Sequence, residues 1–143
     1  MSNGSENAWK CPNCGRTFTR KNQPHSCELF SIKAHHFKKG SPLTVQLYHQ
    51  FIHIFQDFGP ILVEPLKHII AIKKNSQFCT IQIQKAALKI IFRSLTLFPS
   101  FRLTRMSQSQ QEDNYYYYQF KIQILEDVDE ELIDWFRQAY EEN

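Results

Sequence analysis

Between positions 41 and 58 the apolar residues recur every third or fourth place: Val45, Tyr48, Phe51, Ile52, Phe55 and Phe58. That period lines one face of a helix. Ser41 followed by Pro42 supplies an N-cap and a proline at the first helical position, and Gly59-Pro60 supplies the stop. The period then shortens to two. Residues 61–64, 68–73, 78–84 and 88–93 read as strands, and in FCTIQIQ the set Cys79, Ile81, Ile83 alternates with Phe78, Thr80, Gln82, Gln84. Residues 101–106 and 115–125 read as a hairpin closed by the polar tip SQSQQEDN. The helical period returns at the end with Leu132, Trp135, Phe136, Ala139 and Tyr140, and Asp127 with Glu130 has capping-box spacing.

The predicted class is α+β. An N-terminal knuckle is followed by a helix, about six mostly antiparallel strands and a C-terminal helix, the helices covering one sheet face in a two-layer sandwich. The expected divisions are a frayed tail over 1–8, the knuckle over 9–28, a linker over 29–40 and the α+β domain over 41–143.

The knuckle carries the chemistry. Cys11, Cys14 and Cys27 fall within CPNCGRTFTRKNQPHSC. A C-x2-C pair lets two thiolates reach one ion, and Gly15 suits the tight turn that follows. Zinc takes four ligands, and His25 with Cys27 completes C-x2-C-x10-H-x-C. Residues two apart face opposite sides of an extended strand, so His25 and Cys27 share an ion only if the chain turns between them. His35 or His36 could replace one of them. A redox dithiol is the competing reading, but it belongs at a strand-to-helix junction, and only a polar tail and Trp9 precede Cys11. Cys79, inside a strand pattern, reads as a small buried hydrophobe. Ten residues before His25, with Pro24 directly ahead of it, leave no room for a base-reading helix. The metal is expected to staple a hairpin, GRTFTRK, around Phe18, with Arg16, Arg20 and Lys21 on its exposed surface.

Charge changes the picture through its distribution. The net charge of the 143 residues is +3, yet residues 1–40 and 41–125 each carry +5 and residues 126–143 carry −7. A solvated acidic C-terminal helix on a mildly basic body is the expectation, and a basic surface that attracts phosphate or an acidic partner is the alternative. If nucleic acid is that partner, Arg16, Arg20 and Lys21 are the expected contacts, touching the backbone without reading sequence. In Tyr115–Tyr118 one pair of rings is expected on the core and the other on the opposite face; the expectation is an edge hairpin covered by its tyrosines, with base stacking on an exposed pair as the alternative.

Other constellations are weak. His49 and His53 have zinc-protease spacing, but Gln50 stands where that chemistry needs a glutamate, so surface histidines are the expectation. No glycine-rich phosphate loop and no G-x-S-x-G occur. The polar, acidic opening MSNGSENAWK does not read as a signal peptide, and no apolar run approaches the ~20 residues of a membrane span, so a cytoplasmic location is expected.

CPNCGRTFTRKNQPHSC resembles the opening of a mainly bacterial family known as domain of unknown function 5655, which begins with a knuckle of the form CPxCGRxFxRxNQxHSC. A helix ending in Phe58-Gly59-Pro60, a strand over 67–72 and an acidic helix over 127–140 are similar to later parts of that family. The resemblance implies no established activity and at most an auxiliary role. The helix–strands–helix order is also similar to frataxin-like iron-handling folds, but the acidic ridge of those proteins is missing: the first helix has one acid, Asp57. The expected function is a non-enzymatic binding module with structural zinc, its partner a protein or a nucleic-acid backbone. A small enzyme or a metal-handling protein is the alternative.

Overall fold

The computed structural model describes residues 8–25, 27–96, 98, 105–108 and 115–143. Helix α1 (Pro42–Phe58) starts as its sequence dictates: the Thr44 N–H donates to Ser41 Oγ at 3.2 Å, and the Ser41 N–H donates to Thr44 Oγ1 at 2.8 Å. Leu47, Tyr48, Phe51 and Phe55 are buried, while Val45, Ile52 and Phe58 lie at the margin of the buried stripe. The helix stops at Gly59, whose φ of 150° and tight approach to the Tyr140 side chain leave no room for a Cβ.

Two sheets follow the chain. Strands β1 (Trp9–Lys10) and β2 (Thr17–Phe18) form a small antiparallel ladder. Strands β3 (Leu62–Pro65), β4 (Ile70–Lys73), β5 (Gln77–Ile83), β6 (Leu88–Ser94), β7 (Arg105–Gln108) and β8 (Tyr116–Ile122) form one antiparallel sheet in the order β3-β4-β5-β6-β8-β7. The α+β class holds, and the hairpin expected at the end of the strand run is β7–β8. Two details differ. Simple succession breaks after β6, whose neighbour is β8 rather than β7. The cause is patterning: β8 has Tyr118, Phe120 and Ile122 buried on one face and fits the sheet interior, whereas the short, polar RMSQ of β7 suits an edge. Ser107 and Gln108, expected in the hairpin tip, belong to β7. Residues 101–104 and 109–114 lie outside the described residues, as does the tail over 1–7.

Helix α2 (Glu130–Glu141) begins two residues later than its capping-box spacing predicts. Asp129 is the N-cap, accepting from the Leu132 N–H at 3.1 Å. Asp127 instead accepts from the N–H groups of Gln123 and Ile124 at 2.8 and 3.1 Å and closes the short turn Leu125–Asp127. An aspartate near a helix start serves whichever orphan N–H groups the chain brings to it first.

Both helices cover the same sheet face. Phe136 meets Phe51 at a centroid distance of 4.6 Å, Phe92 at 5.6 Å and Phe120 at 5.7 Å. Pairing continues across the sheet from Cys79 to Phe92 to Tyr118 and from Ile81 to Ile90 to Phe120, so these residues share the helix-covered face. A bulge opposite Ile72 and Lys73 places both Phe78 and Cys79 in the core. The opposite, outer face carries Thr80, Gln82, Lys89, Ile91, Arg93, Tyr117, Gln119 and Lys121, and at its β3–β4 end Glu64 and Lys73. The tyrosine run divides as expected: Tyr118 is buried and Tyr116 packs beside it, while Tyr117 lies on the outer face.

The stretch read as a linker, 29–40, is folded. Ile32–His36 and Phe37–Lys39 form two helical turns. His35 and His36 donate from Nε2 to the carbonyls of Lys67 and Leu66, at 2.8 and 2.7 Å. Among the described residues no helix is long and apolar enough to cross a membrane.

Candidate metal centre

The loop between β1 and β2 is the knuckle itself. The Cys11 N–H donates to the Arg16 carbonyl and the Gly15 N–H to the Cys11 carbonyl, both at 2.9 Å, with Gly15 at φ 75°. These bonds fold CPNCGR into a tight turn with both sulfurs on its inner side. The hairpin expected within GRTFTRK is displaced: Thr17–Phe18 pairs with Trp9–Lys10 upstream, because the turn closes between the two cysteines and Gly15. Asn22, at φ 56°, reverses the chain again and returns His25 and Cys27 to the first pair.

The donor atoms of Cys11, Cys14, His25 and Cys27 all lie within 4.8 Å of one another, so these four can hold a metal ion. Cys11 Sγ and Cys27 Sγ are 3.8 Å apart, and His25 Nε2 is 3.5 Å from the sulfurs of both Cys14 and Cys27. Zinc–sulfur bonds of about 2.3 Å and zinc–nitrogen bonds of about 2.05 Å make tetrahedral edges of about 3.8 Å (S to S) and about 3.6 Å (S to N). The three edges given above, 3.8, 3.5 and 3.5 Å, fit that figure. Gln23 O lies 2.6 Å from His25 Nδ1, and since a carbonyl only accepts, Nδ1 carries the proton and Nε2 keeps its lone pair for a metal. The His25 ring is further fixed by Phe18, 4.2 Å away, and by Trp9 at 6.0 Å. The backbone N–H of Cys14 holds the Cys11 thiol down to about 6, whereas burial pushes the Cys14 thiol up.

His35 and His36 are committed to the Lys67 and Leu66 carbonyls and take no part in the cluster. Cys79 is 1% exposed in β5, its thiol pushed upward by burial. His49 and His53 are exposed on α1; His49 abuts Phe37 and His53 lies 3.9 Å from Asp57.

Arg16 is not on the open surface. It is 9% exposed and donates from Nη2 to Glu64 Oε1 at 2.8 Å. Lys73, also buried, lies 3.5 Å from Glu64 Oε2 and donates to the Thr17 carbonyl at 2.6 Å. Both cations stand over the Phe18 ring, at 5.0 and 4.7 Å from its centroid. The knuckle is thus clamped onto the outer sheet face by one carboxylate shared between two cations. The pattern of strands does not foresee this clamp, although Glu64 is the one acid in the six strands of the main sheet. Arg20 and Lys21 remain exposed at the knuckle tip. A groove of about 590 Å³ runs between knuckle and sheet, with Gln23, His25, His68, Lys73, Gln77 and Arg93 among its walls.

No curated protein and no solved structure matches the chain. A family model matches residues 33–143, most of the chain and all of the main sheet with its two helices, while the knuckle precedes the matched stretch. By that match, the chain belongs to the family described as a domain of unknown function (DUF5655).

Proposed function

We propose that the chain is a non-enzymatic binding module in which a structural zinc ion staples the knuckle of residues 9–28 onto the α+β domain of residues 41–143. Its partner is a nucleic acid held by its backbone without sequence reading. The observation that carries the zinc assignment is the closed donor set. Three sulfurs and one nitrogen within 4.8 Å of one another supply all four ligands of a tetrahedral ion and leave no coordination position for a substrate, which is the pattern of a structural site. Zinc here fixes the chain's reversal and presents the knuckle surface. Arg20 and Lys21 are the knuckle cations exposed to a phosphate backbone, while Arg16 acts from within as part of the clamp.

The experiment is a metal analysis joined to an oligonucleotide titration. About one zinc per chain is expected, with binding that weakens steeply as salt rises because phosphate contacts release counterions. Absence of zinc, or absence of binding at low salt, overturns the corresponding half. A protein partner becomes the reading in the second case. The groove beside the knuckle supports a small-molecule site as a second reading, since about 590 Å³ falls in the usual range for such pockets. A thermal-shift screen of metabolites, read against the zinc-loaded protein, separates it from the first.

A further inference from the structure

Strands β4 to β8 contain Lys73, Lys89, Arg93, Arg105 and Lys121 and not a single aspartate or glutamate. The acids gather instead in the last eighteen residues, on and before α2, which packs against the other side of the sheet. Charge is therefore segregated across the two layers. Lys89 and Lys121 are direct cross-strand partners on the outer face, a like-charge pairing that costs stability by itself. Neither has an ion-pair or hydrogen-bond partner among the described residues, whereas Lys73 on the same face is neutralised by Glu64. Two rungs along, Arg93 pairs in register with Tyr117, and its guanidinium stands 4.2 Å from the centroid of the Tyr115 ring. A hollow of about 240 Å³ opens beside Tyr117 between Thr80 and Ile91. It shares Gln77 and Arg93 with the knuckle groove, so the two adjoin.

We propose that this outer face, from Tyr117 to the Lys89–Lys121 pair, is a platform for single-stranded nucleic acid. The inference rests on the nucleic-acid reading above and moves the principal contacts from the knuckle to the sheet. Two chemistries meet on the face. Unneutralised lysines call for phosphate, and a tyrosine ring beside a guanidinium–ring stack calls for a planar ring. A single strand offers both at once. A duplex hides its base faces, and an acidic peptide offers no rings to stack.

The test is fluorescence anisotropy on the zinc-loaded full chain, with labelled oligo(dT), oligo(U) and a duplex of equal length, across a salt series. Single strands are expected to bind more tightly than the duplex. Lys89→Gln with Lys121→Gln should weaken single-strand binding about tenfold. It should also flatten the log–log salt slope by about 1.4, near 0.7 for each phosphate that is no longer neutralised. Tyr117→Leu, which keeps apolar cover and removes the ring, should weaken binding about fivefold or more with the slope unchanged. Arg20→Ala with Lys21→Ala should weaken it about two- to threefold, less than either sheet variant does. Zinc content equal to the parent's and a melting temperature no lower than the parent's show that the lysine variant is folded. Loss of binding in the Arg20/Lys21 variant with the sheet variants intact overturns the platform but leaves the nucleic-acid reading standing. No binding by any form at low salt overturns both. Tighter binding of the duplex, or self-association of the parent that the lysine variant abolishes, overturns the platform as well, the second outcome assigning the face to the acidic helix of another copy.

Discussion

The knuckle and the sheet-and-helix body hold their shapes by opposite means. The body buries an unbroken cluster of aromatic and branched side chains, from Leu47 and Phe55 through Ile81 and Phe92 to Phe136. Its stability is distributed over many apolar contacts. The knuckle has two strands of two residues each and a core of little more than Trp9, Phe18 and the His25 ring. So small a unit cannot support itself by burial; it leans on one shared carboxylate and, in the function proposed above, on a metal ion held by Cys11, Cys14, His25 and Cys27. The difference teaches where each unit is vulnerable: the body to changes of volume, the knuckle to changes of charge or ligand.

That contrast can be broken at graded cost. The largest effect is expected from Cys11→Ser, which removes one thiolate and with it the zinc and the ordered knuckle, since structural zinc is worth about 10–16 kcal/mol to small metal-dependent folds. Metal analysis should fall from about one zinc to none, while Cys79→Ser keeps it and the far-ultraviolet spectrum of the body persists in both. Next, Phe136→Ala empties the ring-packed centre between the helices and the sheet and should cost about 3–5 kcal/mol in denaturant unfolding. The zinc should stay bound until the body melts. Glu64→Gln leaves Arg16 and Lys73 without their shared counter-charge and should cost about 3 kcal/mol. Zinc content should be unchanged, but protease cleavage in the 20–30 stretch should quicken as the knuckle loosens. Full zinc in Cys11→Ser, or unaltered cleavage in Glu64→Gln, would contradict the division of labour. His49→Ala with His53→Ala should alter neither zinc content nor melting.

The smallest effect concerns the folded connection between the two units. Burial holds His36 below the usual imidazole value, with His35 and Lys39 adding to the lowering and the bond to the Leu66 carbonyl opposing it. The unfolded chain therefore binds this proton at a higher pH than the folded one. The sign follows: stability is full well above 6.5 and declines as the pH falls through 6.5 towards the depressed folded value. His36→Gln should show a shallower loss than the parent between about pH 7.5 and 5.5 in parallel melts. An equal loss in both would remove His36 from the account.

How much of the molecule is legible in its residues follows the same contrast. Period and capping chemistry are local, so α1, its Ser41 cap and most strand positions can be read directly. Ligand spacing is local too, and Cys11, Cys14, His25 and Cys27 do converge. The features that escape such reading depend on tertiary neighbours. The insertion of β8 between β6 and β7 suits its apolar face, but that β6 pairs with the later strand and not the next one depends on the assembled sheet. The choice of Asp129 over Asp127 turns on a short turn formed upstream. Arg16 reads as exposed surface because Glu64 lies forty-eight positions away, and a cation's partner at that distance leaves no trace in spacing.

The strand order has a consequence for the protein during its synthesis. The chain emerges from its N-terminus, and β6 leaves the ribosome with Leu88, Ile90 and Phe92 already facing one side. Its true neighbour β8 and the covering rings of Trp135 and Phe136 come only with the last thirty residues. Until then β6 is an open edge with an apolar face, the kind of surface on which nascent chains stick to one another. The knuckle, which precedes the body in the chain, can close while the body still waits. Because its clamp uses only Arg16, Glu64 and Lys73, all present once β4 is out, it can shield the β3–β4 end of the sheet before the centre is complete. Only when α2 follows do Trp135 and Phe136 cover Phe92 and its neighbours.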